Sequence, residues 1–168
     1  IINTWREIIM NEIQAKRAAE SITEQIYQIR PEHLNGAGRL FGGRLMEWID
    51  EVAGLTGIRH SQSNVVTASV DNLKFIRGAY KNDLVVLIGK LTYAGRTSME
   101  VRVDTYVESL DGTRRPINRA YLTLVAVDED GNPKQIPGLI IETEAEKAEW
   151  EAAEKRRNIR IQRKVEGF

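Results

Sequence analysis

The sequence predicts an α+β protein in which one antiparallel sheet packs against one long helix. Apolar residues recur at helical spacing over about residues 43–59, and from residue 65 onward the spacing changes to two. Four strand-like segments then follow one another with no helical segment between them. Because parallel strands need a crossover connection, usually a helix, consecutive strands of this kind favour antiparallel pairing.

Composition and charge argue against several kinds of site and partner. The 168 residues suit a single domain and include 24 Lys and Arg, 24 Asp and Glu, two His and no Cys. Without cysteine there is neither a thiol nucleophile nor a disulfide. With two histidines we expect no metal site, since zinc prefers nitrogen and sulfur ligands. A net charge of zero gives no overall attraction to an anionic partner, so we expect no nucleic acid and no membrane partner.

No segment of the sequence has the pattern of a membrane span or a signal peptide. The longest uncharged apolar run near the centre, residues 84–89, has six residues, whereas a spanning helix needs about 20. Arg6 and Glu7 interrupt the apolar residues near the N-terminus, so no h-region of a signal peptide is predicted. These features favour a cytoplasmic protein.

Both ends of the chain are predicted to form helices outside a central domain. Residues 1–20 form the first, because apolar side chains recur there at helical spacing and three alanines add helix propensity. Residues 141–168 hold a charged helix from Thr143 to Lys164, acidic early and basic late, which complements the helix dipole. We expect this helix to be largely exposed to solvent. The alternative is that it binds the phosphates of a ligand. The domain between them, residues 21–140, has predicted strands at about 21–29, 65–75, 84–93, 99–108 and 118–127.

The central helix carries one acidic residue at an unusual position. At 100° per residue its apolar side chains fall on one broad arc, and Glu47 and Glu51 lie opposite. Asp50 lies at the edge of the apolar arc and not within the acidic stripe. A carboxylate there is either a satisfied buried group or a functional one.

Four glycines precede or open this helix, at positions 36, 38, 42 and 43. They do not form a dinucleotide-binding loop, because residues 31–35 separate them from the preceding strand and no alternating β and α units follow. The unpaired N–H groups at the start of a helix can bind an oxyanion, and Asn35 and Asp50 can orient and activate water. Tight helix packing explains Gly42 and Gly43 equally well.

Four segments carry a resemblance to a known family. They are residues 35–50 (NGAGRLFGGRLMEWID), 70–75 (VDNLKF), 95–101 (GRTSMEV) and 126–131 (AVDEDG). In this order, within about residues 22–138, they resemble the hotdog-fold acyl-CoA thioesterases of the YciA and brain acyl-CoA hydrolase type. The resemblance implies an antiparallel sheet wrapped around the long central helix, and hydrolysis of acyl-CoA to fatty acid and coenzyme A without a cofactor. It also implies a homodimer that assembles further, as a trimer of dimers.

The same resemblance implies roles for individual residues. Asp50 matches the catalytic Asp and Asn35 the catalytic Asn, which meet across a subunit interface in such enzymes. Asp50 would activate water or attack the acyl carbon directly, and Asn35 would orient the water or the thioester. Gly43, with Gly42, matches the backbone that polarises the thioester carbonyl. The segment Arg96-Thr97-Ser98 matches the contact with coenzyme A.

Because the net charge of the chain is zero, local basic residues must bind the anionic coenzyme A. Arg96, Arg77 and the basic cluster at residues 155–164 are the candidates for phosphate contacts. Two other functions remain open. A hotdog dehydratase would use His33 with Glu47, although the His-Phe-Pro-Gly loop of those enzymes is absent, and an acyl-CoA sensor would bind without hydrolysis.

Overall fold

The computed structural model describes residues 13–167. Its strands are β1 (Lys16–Arg17), β2 (Thr23–Gln28), β3 (Asn64–Phe75), β4 (Leu84–Ala94), β5 (Ser98–Glu108), β6 (Arg114–Val127) and β7 (Leu139–Ile140). Its helices are α1 (Gly42–Ser61) and α2 (Glu144–Glu166), with 3-10 helices at Ala18–Ser21 and Pro31–His33. This order confirms the predicted α+β class. Neither helix is apolar enough over a sufficient length to cross a membrane, within the described range.

Five strands form one antiparallel sheet in the order β2–β4–β5–β6–β3. β2 and β3 are therefore its edges, and β3 pairs on one side alone among residues 13–167. β6 begins at Arg114, four residues before the predicted start, and continues through Pro116 where the register with β5 shifts between Thr105 and Tyr106. A proline is tolerated at such an irregularity, because ladder hydrogen bonds are interrupted there.

α1 packs its apolar side on one face of this sheet. Val52 and Ala53 of the helix and Val101 and Leu124 of the strands are completely buried. Burial of such apolar surface stabilises the fold by about 25 cal/mol per Å². Gly57 marks a close approach of helix and sheet, because a Cβ there would lie 2.6 Å from Leu124 Cδ1.

α2 covers part of the opposite face of the sheet. Glu100 and Arg102 alternate along β5 with residues that face α1, so they point to the other side. Glu100 accepts hydrogen bonds from Arg156 at 2.7 and 3.0 Å, and Arg102 donates to Glu149 at 2.7 Å. The predicted charged helix is therefore present, and ion pairs tie one side of it to the sheet.

The predicted N-terminal helix is wrong where the structure describes it. Residues 1–12 of the predicted range lie outside the described residues, and residues 16–21 form β1 and a 3-10 helix instead of an α-helix. β1 pairs with β7, and Lys16 Nζ donates to the carbonyls of Arg59 and His60 at the end of α1, at 2.6 and 3.3 Å. These tertiary contacts outweigh the helix propensity of the alanines in this segment.

Candidate active site

The first turn of α1 leaves backbone donors open. The Phe41 N–H donates to the His33 carbonyl at 2.9 Å, and the Leu45 N–H donates to the Phe41 carbonyl at 3.1 Å. The N–H groups of Gly42 and Gly43 have no acceptor in the described part of the chain, and no side chain caps the helix. Together with the positive end of the helix dipole, such groups are able to bind an oxyanion.

Two phenylalanine rings lie where side chains at these positions would be. A Cβ on Gly43 would lie 2.6 Å from Phe41 Cε1, and a Cβ on Gly42 would lie 3.3 Å from Phe75 Cζ. Both rings are more than half exposed, so they can move aside, and their packing alone does not require glycine at these two positions.

Asn35 is fixed in its loop by four hydrogen bonds. Its Oδ1 accepts from the N–H groups of Ala37 and Arg39 at 3.0 and 3.2 Å. Its backbone N–H donates to the Arg39 carbonyl at 2.8 Å, and its backbone carbonyl accepts from the Gly38 N–H at 3.0 Å. The side chain is exposed. Since the carbonyl oxygen is occupied, the Nδ2 amide group is the part of Asn35 that can donate to a ligand.

Asp50 lies on the exposed side of α1 and is held by the edge strand. Its Oδ1 accepts a hydrogen bond from Thr67 Oγ1 of β3 at 2.6 Å. Both residues are exposed in the chain, so Asp50 is not buried within its own subunit. Sequence reasoning missed Thr67, because one threonine within a strand rich in β-branched residues has no distinguishing pattern.

Asp50 and the donor at Gly43 share one side of α1 but are separated along it. In projection they lie about 20° apart, and along the axis they lie about 10 Å apart. Among residues 13–167 no hydrogen bond joins Asp50 to Asn35. A single chain therefore carries the predicted groups without assembling them around one reacting atom.

Arg77 lies beside Asn35 and the start of α1. Asn35, Gly42 and Arg77 line one cavity of about 320 Å³. The apolar side chains in its wall are those of Leu40, Leu45, Phe75, Ile76 and Ile117. The structure thus brings together the predicted Asn, part of the oxyanion site and one predicted phosphate contact.

The segment Arg96-Thr97-Ser98 lies at the other end of the sheet. It forms the turn from β4 to β5, and the carbonyls of Arg96 and Thr97 accept from the N–H groups of Ile136 and Ala126 at 3.0 and 2.9 Å. This places it near the start of β3 and the C-terminal end of α1, whereas Arg77 follows the end of β3, roughly 35 Å away along the strand. One chain does not bring Arg77 and Arg96 together.

The basic cluster at residues 155–164 belongs to α2, across the sheet from α1. Two of its arginines already have carboxylate partners: Arg156 pairs with Glu100 and Arg160 with Asp71, each at 2.7 Å. These two side chains therefore attach α2 to the sheet.

His33 and Glu47 do not form the pair that a dehydratase would need. His33 Nδ1 accepts from the Arg30 N–H at 3.1 Å, and its ring lies edge-on to Trp48 at 5.1 Å. Glu47 instead pairs with Arg44 at 2.6 Å. In residues 13–167 no group of three or more His, Asp and Glu side chains is arranged to hold a metal ion.

Comparisons with known proteins identify relatives over most of the chain. A model of the thioesterase superfamily matches residues 37–111. A Bacillus subtilis protein named uncharacterized acyl-CoA thioester hydrolase YkhA is 36% identical over 146 residues, which cover 86% of this chain and 85% of that protein. The mouse cytosolic acyl coenzyme A thioester hydrolase is 33% identical over 146 residues, and the chain spans only 38% of its length.

Solved structures of acyl-CoA thioesterases share this fold. An apo-hexameric acyl-CoA thioesterase is 41% identical with a TM-score of 0.85, over 90% of this chain and 97% of that one. A Staphylococcus aureus acyl-CoA hydrolase in complex with butyryl coenzyme A, coenzyme A and coenzyme A disulfide is 34% identical with a TM-score of 0.85, over 91% and 94% of the two chains. Variants of that hydrolase with alanine at one aspartate, one asparagine or one threonine have TM-scores of 0.85, 0.87 and 0.85. The fold and these relatives together place the chain in the acyl-CoA thioester hydrolase family of the thioesterase superfamily, with the hotdog fold.

Proposed function

We propose that this protein hydrolyses acyl-CoA thioesters to a free fatty acid and coenzyme A in the cytoplasm. The observation that carries the proposal is the exposed Asp50, bonded to Thr67, on the same side of α1 as the open N–H groups of Gly42 and Gly43. The names of the relatives, one of them a cytosolic enzyme, support the substrate class and the compartment.

The groups suffice for thioester hydrolysis. Asp50 takes a proton from water, whose oxygen attacks the carbonyl carbon, and the N–H groups at Gly42 and Gly43 bind the oxyanion that develops. The carbon–sulfur bond then breaks, and the leaving thiolate takes up the proton that Asp50 removed from water. Alternatively, Asp50 itself attacks the carbonyl carbon and expels the thiolate, which gives a mixed anhydride; water then hydrolyses the anhydride and frees Asp50, and the proton released in this step protonates the thiolate. Asn35 orients the water or the thioester through Nδ2.

Thr67 is added to this set as the residue that positions Asp50. A short hydrogen bond to one carboxylate oxygen orients the other toward the reacting atoms. Alanine variants of the Staphylococcus aureus hydrolase support this set. The asparagine replaced in that enzyme lies 15 positions before the replaced aspartate, and the replaced threonine lies 17 positions after the aspartate. Asn35, Asp50 and Thr67 have the same separations.

The complete site is proposed to combine two subunits. The outer edge of β3 is unpaired among residues 13–167, and Val66 and Val70 of this strand are 52% and 45% exposed in the chain. A second copy that pairs antiparallel along this edge would run its α1 in the opposite direction, bringing the N-terminal end of one α1 toward Asp50 of the other. The hexameric thioesterase structure supports assembly of such dimers into a trimer of dimers.

Substitution of the carboxylate tests the proposed role of Asp50. Asp50→Asn is expected to reduce turnover of a long-chain acyl-CoA to below a few per cent of wild type, measured as thiol released from coenzyme A. Thr67→Val should lower kcat roughly tenfold to a hundredfold, because a hydrogen bond to a charged group contributes about 1.5–3 kcal/mol. Thr67→Ser, which keeps the hydroxyl, is the matched control. Retention of substantial turnover by Asp50→Asn would remove the carboxylate from the mechanism.

The same assay distinguishes the two alternative functions. A dehydratase would hydrate an enoyl thioester without releasing a thiol, and a sensor would bind acyl-CoA without forming any product. The separate partners of His33 and Glu47 argue against the first, and the exposed Asp50 on the same side of α1 as the open backbone donors argues against the second.

A further inference from the structure

α1 contains two glycines in its second half, and packing within the chain gives a reason for only one of them. A glycine inside a helix costs about 0.5–1 kcal/mol relative to alanine, so it usually has a packing or functional reason. Gly57 has one, since a Cβ there would lie 2.6 Å from Leu124 Cδ1. A Cβ on Gly54 would have no heavy atom within 4 Å, and its φ is not in the left-handed region. Nothing in the described part of the chain accounts for Gly54.

Gly54 continues the line of the proposed reacting groups along α1. In projection Gly43, Asp50 and Gly54 fall within about 40° of one another, and Gly54 lies one turn beyond Asp50, about 6 Å toward the C-terminal end. Gly57, about 20° from Asp50 in projection, is buried, whereas Ile58, about 40° beyond Gly54, is 42% exposed. Ile58 and Gln62 line an open cavity of about 420 Å³. Beyond Asp50 an exposed track therefore runs over Gly54 and Ile58, beside the buried Gly57.

This track leads toward the segment proposed to hold coenzyme A. From Asp50 to Gln62 the helix rises about 18 Å. The turn Arg96-Thr97-Ser98 lies at that end, because Thr97 O accepts from the Ala126 N–H beside the start of β3. With its thioester at Asp50 and its phosphates near Arg96 of the same subunit, a substrate lays its pantetheine arm over this length of α1. The arm is a narrow extended chain that needs close access to the helix surface.

We propose that Gly54 is a substrate-contact residue that leaves room for the pantetheine arm between Asp50 and the turn at Arg96. The inference rests on the proposed function and adds to it a determinant of coenzyme A binding. A methyl group at this position narrows the track. It also favours the helix, because alanine has a higher helix propensity than glycine and the methyl group would clash with no atom of the described chain.

Gly54→Ala tests the proposal because stability and coenzyme A binding should respond in opposite directions. The thermal midpoint is expected to equal or exceed that of wild type, while KM for butyryl-CoA and the dissociation constant of free coenzyme A rise roughly tenfold. With the S-ethyl thioester of butyric acid, which lacks the pantetheine arm, the loss of kcat/KM should be several times smaller than with butyryl-CoA. Gly57→Ala is the matched control and should lower the thermal midpoint, because its Cβ meets Leu124.

Three results would overturn the inference. Unchanged coenzyme A affinity in Gly54→Ala would show that the arm does not pass this residue. Equal losses with both thioesters would place the effect at the acyl group or the reacting atoms. Dissociation of the assembly, seen by size-exclusion chromatography, would show that Gly54 serves subunit packing. Coenzyme A binding, measured by calorimetry, tests Gly54 even if wild type hydrolyses neither thioester, a result that would refute the proposed function.

Discussion

Polar residues of this protein include exposed groups that use only part of their hydrogen-bonding capacity and buried groups that the fold encloses. Asp50 and Asn35 are exposed, and each uses only part of its hydrogen-bonding capacity within the described residues. His60, by contrast, is completely buried, and its Nε2 lies 2.9 Å from the Pro137 carbonyl. The first kind can serve a reaction, whereas the second serves the fold.

His60 predicts a loss of stability in mild acid. Burial lowers the pKa of its imidazole below the usual 6.5, against the smaller opposing effect of the Pro137 carbonyl. As pH falls, the unfolded chain therefore takes up this proton before the folded chain does. The contribution to stability is complete above about pH 6.5 and decreases progressively as pH falls below it.

Urea unfolding between about pH 5 and 8 measures this effect. His60→Gln keeps an amide N–H that can reach the Pro137 carbonyl but does not titrate, so its free energy of unfolding should vary less with pH than that of wild type. Parallel pH profiles for the two proteins would show that other groups control acid stability.

Elements at the periphery of the fold are held by contacts with distant segments. α2 carries the predicted sequence of acids followed by bases, yet its position depends on carboxylates of the sheet that it covers. Arg156 pairs with Glu100 and lies over the Tyr121 ring at 3.7 Å, and Thr92 also donates to Glu100 at 2.7 Å. This buried network, and not the solvated side of the helix, attaches α2.

Removal of the buried carboxylate should therefore destabilise the protein far more than removal of an exposed one. Glu100 is 1% exposed, and Glu100→Ala is expected to lower the free energy of unfolding by about 3–5 kcal/mol, because it leaves Arg156 buried without its partner. Glu47→Ala, which breaks the exposed pair with Arg44, should cost less than about 1 kcal/mol. Denaturant unfolding compares the two, and similar losses would contradict a special role for the buried pair.

The whole molecule requires a second copy if the proposed site is to be complete. Asp50 lies about 10 Å along α1 from the donor at Gly43, and Arg77 and Arg96 lie at opposite ends of β3. An antiparallel dimer along β3 would bring the two ends together, since its two-fold axis exchanges them. The site is then a property of the interface and not of one chain.

Mixed oligomers test this interpretation. Asn35→Ala and Asp50→Ala proteins should each be inactive alone, and an equal mixture after subunit exchange should recover about a quarter of wild-type turnover, because half of the dimers carry one intact site. Subunit exchange is verified independently with differently tagged proteins. A mixture that exchanges subunits but stays inactive would place both residues in the same subunit's site.

By itself, the sequence determined the class of the fold and the order of its central elements, and it predicted Asn35, Asp50 and Gly43 as site residues. Residue spacing along a helix or a strand is local, and the family resemblance adds positions within a continuous motif. Tertiary structure alone decided the hydrogen bond from Thr67 to Asp50, the replacement of the predicted N-terminal helix by β1 and a 3-10 helix, and the opposite placement of the two predicted coenzyme A contacts. Each depends on segments far apart in the chain, such as Lys16 and Arg59, which are 43 positions apart, and no local pattern predicts that such segments meet.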